Sequence, residues 1–260
     1  MLFKARVESV EELARHSYYL LLREPQLAAQ SRPGQFLHIR IGESLVPFLR
    51  RPFSLAGACP QRGTLEVIFR LAGEGTAILS RVKKGAVLNC LGPLGRGFQF
   101  SASRLPAVLL AGGAGVAPLL FLARALVGKK RRVALFYGAA SRDDLLPLKR
   151  LLPRETAVHL ATDDGSSGYQ GRVTDLFAGA VRQGMQPVEL YACGPRPMLQ
   201  VLTKKNEAWN FPLQLSLEER MACGLGACQG CAVSIRQGEK STYRMVCSDG
   251  PVFAAQEVEW

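Results

Sequence analysis

No uninterrupted apolar stretch in this chain reaches the ~20 residues that a membrane-spanning helix needs; the longest candidates, around Leu109 and Leu119, are short and broken by glycine. The first twenty residues lack the apolar core of a secretory signal, because Lys4, Arg6, Glu8, Glu11, Glu12 and Arg15 fall among them. A soluble, cytoplasmic protein with no membrane contact is therefore expected. Internal repeats and low-complexity segments are also lacking, which excludes solenoid and disordered-tract readings. Concentrated basic charge is scarce despite a formal net charge of +12, since only Lys129, Lys130, Arg131 and Arg132 form a run. That run reads as a solvated helix-to-strand connection, and nucleic acid is not an expected partner. The surplus positive charge is better suited to holding phosphate-rich cofactors and meeting an acidic partner.

What is present is ample apolar material, 48% of 260 residues, enough for two compact domains without small staples. Residues 1–100 read as short strands punctuated by Gly and Pro, among them Leu2 to Val7, Tyr18 to Arg23, Gln35 to Ile41 and Thr64 to Phe69, a pattern that favours a small antiparallel barrel. From Leu105 the rhythm becomes apolar strand, turn, helix, strand. Buried-type strands at Ala107 to Ala111, Val133 to Tyr137, Ala157 to Ala161 and Val188 to Ala192 predict a parallel α/β sheet. From about Leu217 the chain is rich in Gly and Cys, with one strand around Cys231 to Ile235. That segment is too short to bury a core unaided and needs a cluster or a neighbouring domain. The expected fold is thus α+β and multidomain, cut at 1–100, 101–216 and 217–260.

Seven cysteines in a reducing compartment argue against a disulfide framework, and their crowding near the C-terminus suggests metal. Cys223, Cys228, Cys231 and Cys247 follow the spacing C-x4-C-x2-C-x15-C, with Gly224, Gly226 and Gly230 between the first three. Four thiolates hold [2Fe-2S] iron, and such glycines let backbone amides approach the sulfurs; the x4 and x2 spacings match the plant-type ferredoxin pattern. A tetrahedral zinc is the alternative, although zinc sites more usually repeat C-x2-C in two pairs. Cys59, Cys90 and Cys193 are left over, and isolated cysteines are most often small buried hydrophobes.

Three further motifs point to nucleotides. Arg51-Pro52-Phe53-Ser54, read as the end of the barrel's middle strand, sets a cation for a pyrophosphate, an aromatic ring for an isoalloxazine and a hydroxyl for its reactive N5 region side by side. An edge strand beginning at Pro52 is the bland alternative. Gly73-Glu74-Gly75-Thr76, ahead of a helix-like Ala77 to Val82, presents amides to phosphate, with Thr76 as cap and hydroxyl donor; an ordinary capped turn would look the same. Gly112-Gly113-Ala114-Gly115-Val116-Ala117-Pro118 follows a buried strand and opens a helix over Leu119 to Leu126, with Pro118 in the first turn where its missing donor costs nothing. Its G-x-G-x-x-P departs from the Rossmann fingerprint, and Ala139, Ala140, Ser141 and Arg142 follow the next strand where an acid would stand, so a standard Rossmann dehydrogenase is disfavoured. Cys193-Gly194-Pro195 then ends the last parallel strand, at the edge where ligands bind in such sheets.

In this order, R-P-F-S, G-E-G-T, G-G-x-G-x-A-P and C-G-P resemble the ferredoxin-NADP reductase superfamily over about 215 residues. The run Leu217 to Cys231 and the segment Cys247 to Phe253 are similar to the electron-transfer subunit of NAD-linked dihydroorotate dehydrogenase, and that likeness spans nearly the whole chain. The resemblance implies FAD, a [2Fe-2S] cluster on Cys223, Cys228, Cys231 and Cys247, and NAD as electron acceptor. It implies flavin contacts at Arg51, Pro52, Phe53 and Ser54, diphosphate contacts at Gly73, Gly75 and Thr76, and nicotinamide nucleotide contacts at Gly113, Gly115, Cys193, Gly194 and Pro195. Phe53 departs from the Tyr common in the superfamily. The implied partner is an FMN-containing catalytic subunit that oxidises dihydroorotate to orotate for pyrimidine synthesis, in a heterotetramer with two subunits of each kind. Electrons would pass singly from FMN through the cluster to FAD and leave as hydride to NAD, a route that needs no general acid here and suits a chain with three histidines. NADH is what the resemblance implies, although Ser141 and Arg142 stand where a 2′-phosphate would be met. An electron-transfer subunit linking NADPH and ferredoxin is the near alternative, disfavoured by the presence of Cys223; a zinc-stapled binding module is the distant one.

Overall fold

The computed structural model describes residues 1–42, 46–100 and 105–260. In the first region β1 (Leu2–Ala14), β2 (Ser17–Arg23), β3 (Phe36–Ile39), β4 (Arg51–Cys59), β5 (Thr64–Arg70) and β6 (Val87–Leu94) close into an antiparallel barrel of order β1-β2-β5-β4-β3-β6. Alternation builds it: Phe3, Ala5 and Val7 of β1 turn inward with Leu20 and Leu22 of β2 and Leu65, Val67 and Phe69 of β5, while their neighbours face out. Each buried Leu or Val contributes about 1.5–3 kcal/mol through surface removed from water. Helix α1 (Pro25–Gln30) plugs one side, opened by Pro25 at its first position and capped by the Glu24 carboxylate on the Leu27 amide. The short α2 (Glu74–Ser80) follows β5.

The second region carries β7 (Ala107–Gly112), α3 (Val116–Gly128), β8 (Val133–Ala139), α4 (Leu148–Leu151), β9 (Ala157–Thr162), β10 (Tyr169–Gln170), α5 (Val173–Arg182), β11 (Glu189–Cys193), α6 (Arg196–Trp209) and β12 (Leu213–Ser216). Its strands lie in the order β10-β9-β8-β7-β11-β12, all parallel. Every residue of the central β7 is buried, because its two faces serve two cores: Val108 and Leu110 look toward α5 and α6, Leu109 and Ala111 toward α3. Helix α3 also docks the barrel, through Arg124 paired with Glu66 at 2.8 Å. The basic run 129–132 lies between α3 and β8, as the sequence suggested, but it is not solvated throughout: the Arg131 side chain is nearly buried and held by Glu189 at 2.8 Å.

The last region adds a hairpin, β13 (Ala232–Gln237) with β14 (Lys240–Met245), and then β15 (Val252–Ala254). Strand β15 pairs antiparallel with β12 and so extends the nucleotide-domain sheet. Cys231, Val233, Ile235, Cys247 and Phe253 join one core with Leu213 and Leu215 of β12 and with Phe36 and Leu94 of the barrel. The expected cut at 217 divides the chain without dividing the sheet, and the expected cut at 100/101 adjoins residues 101–104, outside the described residues.

Several local readings need correction. Arg51 to Ser54 opens β4 instead of closing a strand, since the chain enters the barrel wall at Arg51 opposite Ile39. The helix expected from Ala77 begins at Glu74, so Gly75 and Thr76 lie inside its first turn, and the helix expected from Leu119 begins at Val116.

Candidate functional site

At the end of the barrel nearest the α/β sheet lies a cavity of about 320 Å³. In β4 Pro52, Phe53 and Ser54 all line it, Phe53 from the barrel core, where it packs edge-on to Phe69 with 5.7 Å between ring centroids. Phe36, Ile68, Phe69 and Arg70 complete the barrel wall; Ala114, Ala117, Glu218, Met221 and Pro251 close it from the other two regions. Aromatic and aliphatic faces with one hydroxyl and one guanidinium suit a flat, partly polar ring, and the volume falls in the usual ~300–1,000 Å³ range of cofactor pockets.

Beside it, Arg51 lies against Gly75, where a methyl group would sit 3.4 Å from the Arg51 Nε. The Arg51 Nη1 donates to the Leu49 carbonyl at 2.6 Å, which aims the guanidinium along the α2 amino terminus. Thr76 Oγ1 accepts from the amides of Ala72 at 2.9 Å and Gly73 at 3.1 Å and donates to the Gly73 carbonyl. Its hydroxyl is thus engaged in holding the turn, and the contacts it leaves for a diphosphate are the backbone amides of the turn.

A second cavity of about 530 Å³ opens at the carboxyl ends of β7, β8, β9 and β11, walled by Gly112, Gly113, Gly138, Ala139, Asp163, Arg172 and Pro195. Arg70 lines both cavities, and the β7–α3 turn divides them, with Gly113 on one side and Ala114 on the other. Gly115 has a packing role: a methyl there would lie 2.5 Å from the Cys193 carbonyl, so only glycine lets the α3 amino terminus rest on the end of β11. Cys193 itself is fully buried and lines neither cavity, and burial raises its thiol pKa well above the usual range. Glu218 stands at the mouth of the flavin-type cavity, and desolvation by the protein around it pushes its carboxyl pKa up.

The sequence reading missed Arg70, Phe36, Phe69, Glu218, Asp163 and Arg172. Nothing in their local pattern marks them, because each reaches the site from the end of a strand or from the opposite wall, and only the topology brings them together. Arg142, by contrast, is spent: its Nε and Nη2 donate to the Ser166 carbonyl at 3.0 and 2.6 Å.

The cysteine loop leads off the wall of this cavity, Met221 of that wall being two residues from Cys223. The amides of Leu225 at 3.3 Å and Cys228 at 3.4 Å donate to the Cys223 Sγ, and these contacts hold its thiol down at about 6. The Gly226 amide donates to the Cys247 Sγ at 3.1 Å. Burial pushes Cys247 up to about 12, and the neighbouring Cys231 thiol adds to the shift. Cys231 and Cys247 are buried, Cys223 is half-buried and Cys228 exposed. Among the described residues no three Cys, His, Asp or Glu converge as a single ion would require. Cys223 lies beside the Cys228 thiol and Cys247 beside the Cys231 thiol, with backbone amides turned toward the sulfurs of Cys223 and Cys247.

A barrel beside a parallel sheet, with a flat-ring cavity at the seam and a second cavity across one turn, is the architecture of a flavoprotein oxidoreductase of the ferredoxin-NADP reductase type. The fold comparisons agree. The structure of an NADH-dependent reduced ferredoxin-NADP oxidoreductase, studied for flavin-based electron bifurcation, superposes with a TM-score of 0.87 at 28% identity, covering 98% of this chain and 90% of that one. The ferredoxin reductase of carbazole 1,9a-dioxygenase shares the fold at TM-score 0.73 and 23% identity, over 83% of this chain and 68% of that one. Residues 218–259 match the iron-sulfur cluster binding domain of dihydroorotate dehydrogenase B, and residues 109–204 the oxidoreductase NAD-binding domain. The electron transfer subunit of dihydroorotate dehydrogenase B (NAD(+)) from Desulforamulus reducens is 38% identical, covering 99% of this chain and 98% of its own length. Its counterpart from Shouchella clausii is 44% identical over 95% and 94%. The chain belongs to this family of electron transfer subunits.

Proposed function

We propose that the chain is the electron transfer subunit of an NAD-linked dihydroorotate dehydrogenase, an oxidoreductase component that takes FAD, a [2Fe-2S] cluster and NAD. The observation that carries this reading is contiguity. One cavity is bounded by the turn that opens the nucleotide cavity and by the segment that leads into the cysteine loop, so a ring held there touches both neighbours.

In this reading Pro52, Phe53 and Ser54 wall the flavin, with the Ser54 hydroxyl toward its reactive edge, and Arg51 with Gly73, Gly75 and Thr76 holds the diphosphate. Gly113, Gly194 and Pro195 bound the nicotinamide nucleotide, while Gly115 and Cys193 shape its floor from beneath. Cys223, Cys228, Cys231 and Cys247 hold the iron. Flavin supplies the exchange between one-electron and two-electron steps; the residues of this chain set distance, orientation and polarity around it. Asp163 at the cavity wall favours NAD over NADP, because a carboxylate pairs with a ribose diol and repels a 2′-phosphate.

An electron transfer subunit works with a catalytic one. We take that partner to carry FMN and to oxidise dihydroorotate to orotate, in a cytoplasmic assembly with two copies of each chain. Among the described residues no helix is long and apolar enough to cross a membrane. We take the chain to divide into a flavin barrel over 1–100, a nucleotide domain over 101–216 and a cluster segment over 217–260, the last lending β15 to the nucleotide-domain sheet.

The test is the absorption spectrum of anaerobically purified protein, with flavin, iron and sulfide assayed on the same sample. Flavin bands with about two iron and two sulfide per flavin are expected for one binuclear cluster. Zinc without flavin would overturn the reading and return the zinc-stapled module.

A further inference from the structure

His38 lies in β3 and is fully buried, and among the described residues neither ring nitrogen has a partner in good hydrogen-bond geometry, the backbone of Arg50 and of Cys223 being its nearest polar surroundings. Buried polar groups are nearly always paired, so an imidazole with both nitrogens unmatched calls for an explanation. Its position supplies one. Across the β3–β4 ladder His38 faces Pro52, a wall of the flavin-type cavity. On its other side the ring lies against the cysteine loop: a methyl on Gly224 would sit 2.5 Å from the His38 Nδ1, so loop and ring are in direct contact next to Cys223. The ring also faces the backbone of Arg50 and of Cys223. Arg50 is itself fixed, donating to the Asn89 carbonyl at 2.8 Å and to Asn89 Oδ1 at 2.7 Å, so the strand side of this contact is rigid.

We infer that His38 is a positioning residue for electron transfer between cluster and flavin: it anchors the cysteine loop to the flavin wall and supplies a ring N–H toward the cluster's side of the contact. The inference rests on the proposed cluster site. The step it serves moves one electron at a time between iron and flavin, with no bond made or broken and no proton demanded of His38. A donor near a thiolate-held cluster stabilises the extra negative charge of the reduced state, so removing it lowers the reduction potential.

The experiment uses the full chain with its FAD and cluster, comparing wild type, His38→Leu and His38→Gln. Flavin, iron and sulfide are assayed first, and the cluster midpoint is then read by an EPR-monitored titration. His38→Leu should keep FAD and NADH-to-dye activity while the one-electron equilibrium between flavin and cluster shifts about tenfold against cluster reduction, about 59 mV. His38→Gln, which keeps an N–H donor, should stay close to wild type, a rescue that mere space-filling would not give. A wild-type midpoint in His38→Leu with full iron and sulfide would overturn the role of His38 and leave the cluster reading standing. Wild-type protein without iron and sulfide would overturn both.

If His38→Leu fails to hold its cluster, wild-type protein labelled with ¹⁵N-histidine decides the matter by electron spin echo modulation of the reduced cluster. His16 lies at the β1–β2 turn and His159 stacks on Phe136 in the sheet, so a weak ¹⁵N coupling would come from His38. Absence of any coupling would overturn the inference.

Discussion

Asp163 and Arg172 face each other at the rim of the nucleotide cavity, 3.2 Å apart and largely exposed. A pair in that setting contributes only ~0–1 kcal/mol to stability, so both charges are free to be spent on a ligand. Asp163→Ser should therefore narrow the preference for NADH over NADPH by roughly tenfold, the equivalent of about 1.4 kcal/mol, with little change in thermal stability. The ratio of kcat/KM for the two nucleotides in dye reduction checks this, and an unchanged ratio would put specificity elsewhere. Cys228 is the exposed member of the cysteine set, and its replacement removes one of four donors without disturbing a core. Cys228→Ser should abolish the cluster signal while NADH-to-dye activity through FAD persists; equal loss of both would count against separate centres. At this scale the sequence was uneven. The cysteines were legible because spacing alone carries their chemistry, and Arg51 because it sits in a dense motif. Arg70 and Asp163 were not, because a lone charged residue at a strand end has no pattern until the fold supplies its neighbours.

The element that organises the site is β7, its turn and α3. The all-buried strand forces the turn to be compact, the turn separates the two cavities, and α3 rests its first residues on the end of β11. Gly115→Ala tests that contact, since the added methyl must push the turn or the Cys193 backbone aside. Overpacking of this kind costs about 1–3 kcal/mol, and nucleotide binding should weaken with it because Gly113 moves too. Thermal unfolding and titration with NADH on the same sample check it; a loss of stability with unchanged affinity would make Gly115 a packing glycine only. The strand–turn–helix sequence was readable from the apolar run followed by G-G-A-G. The helix begins three residues earlier than the sequence suggests, at Val116, with Pro118 inside its first turn as expected, because the G-G-A-G turn is already complete at Gly115. In the barrel R-P-F-S opens β4 instead of ending a strand, so the alternative of a strand beginning at Pro52 comes within one residue, with Pro52 pairing opposite His38.

Over the whole molecule the three regions share cores instead of touching at linkers. Residues from barrel, sheet and cysteine segment meet in one apolar cluster, and β15 pairs with β12 while Leu217 accepts no strand of its own but donates its amide to the Pro251 carbonyl at 2.9 Å. The need for such support was legible from the shortness of the last region; the means was not, since three residues of β15 carry no strand signal apart from the sheet edge they complete. This architecture makes Phe253 the residue through which cluster and nucleotide domain depend on each other, its ring buried and its backbone paired with Leu215. Phe253→Ala should cost about 3–5 kcal/mol, as large aromatic truncations in cores do. Because the core is shared, the loss should appear as one earlier unfolding transition for flavin release, cluster bleaching and the peptide signal together. Three probes followed in a single thermal scan decide it. If the cluster bleached well before the flavin was released, the cysteine segment would be an independently melting module, and the fixed separation that electron transfer between them requires would have to come from the partner subunit.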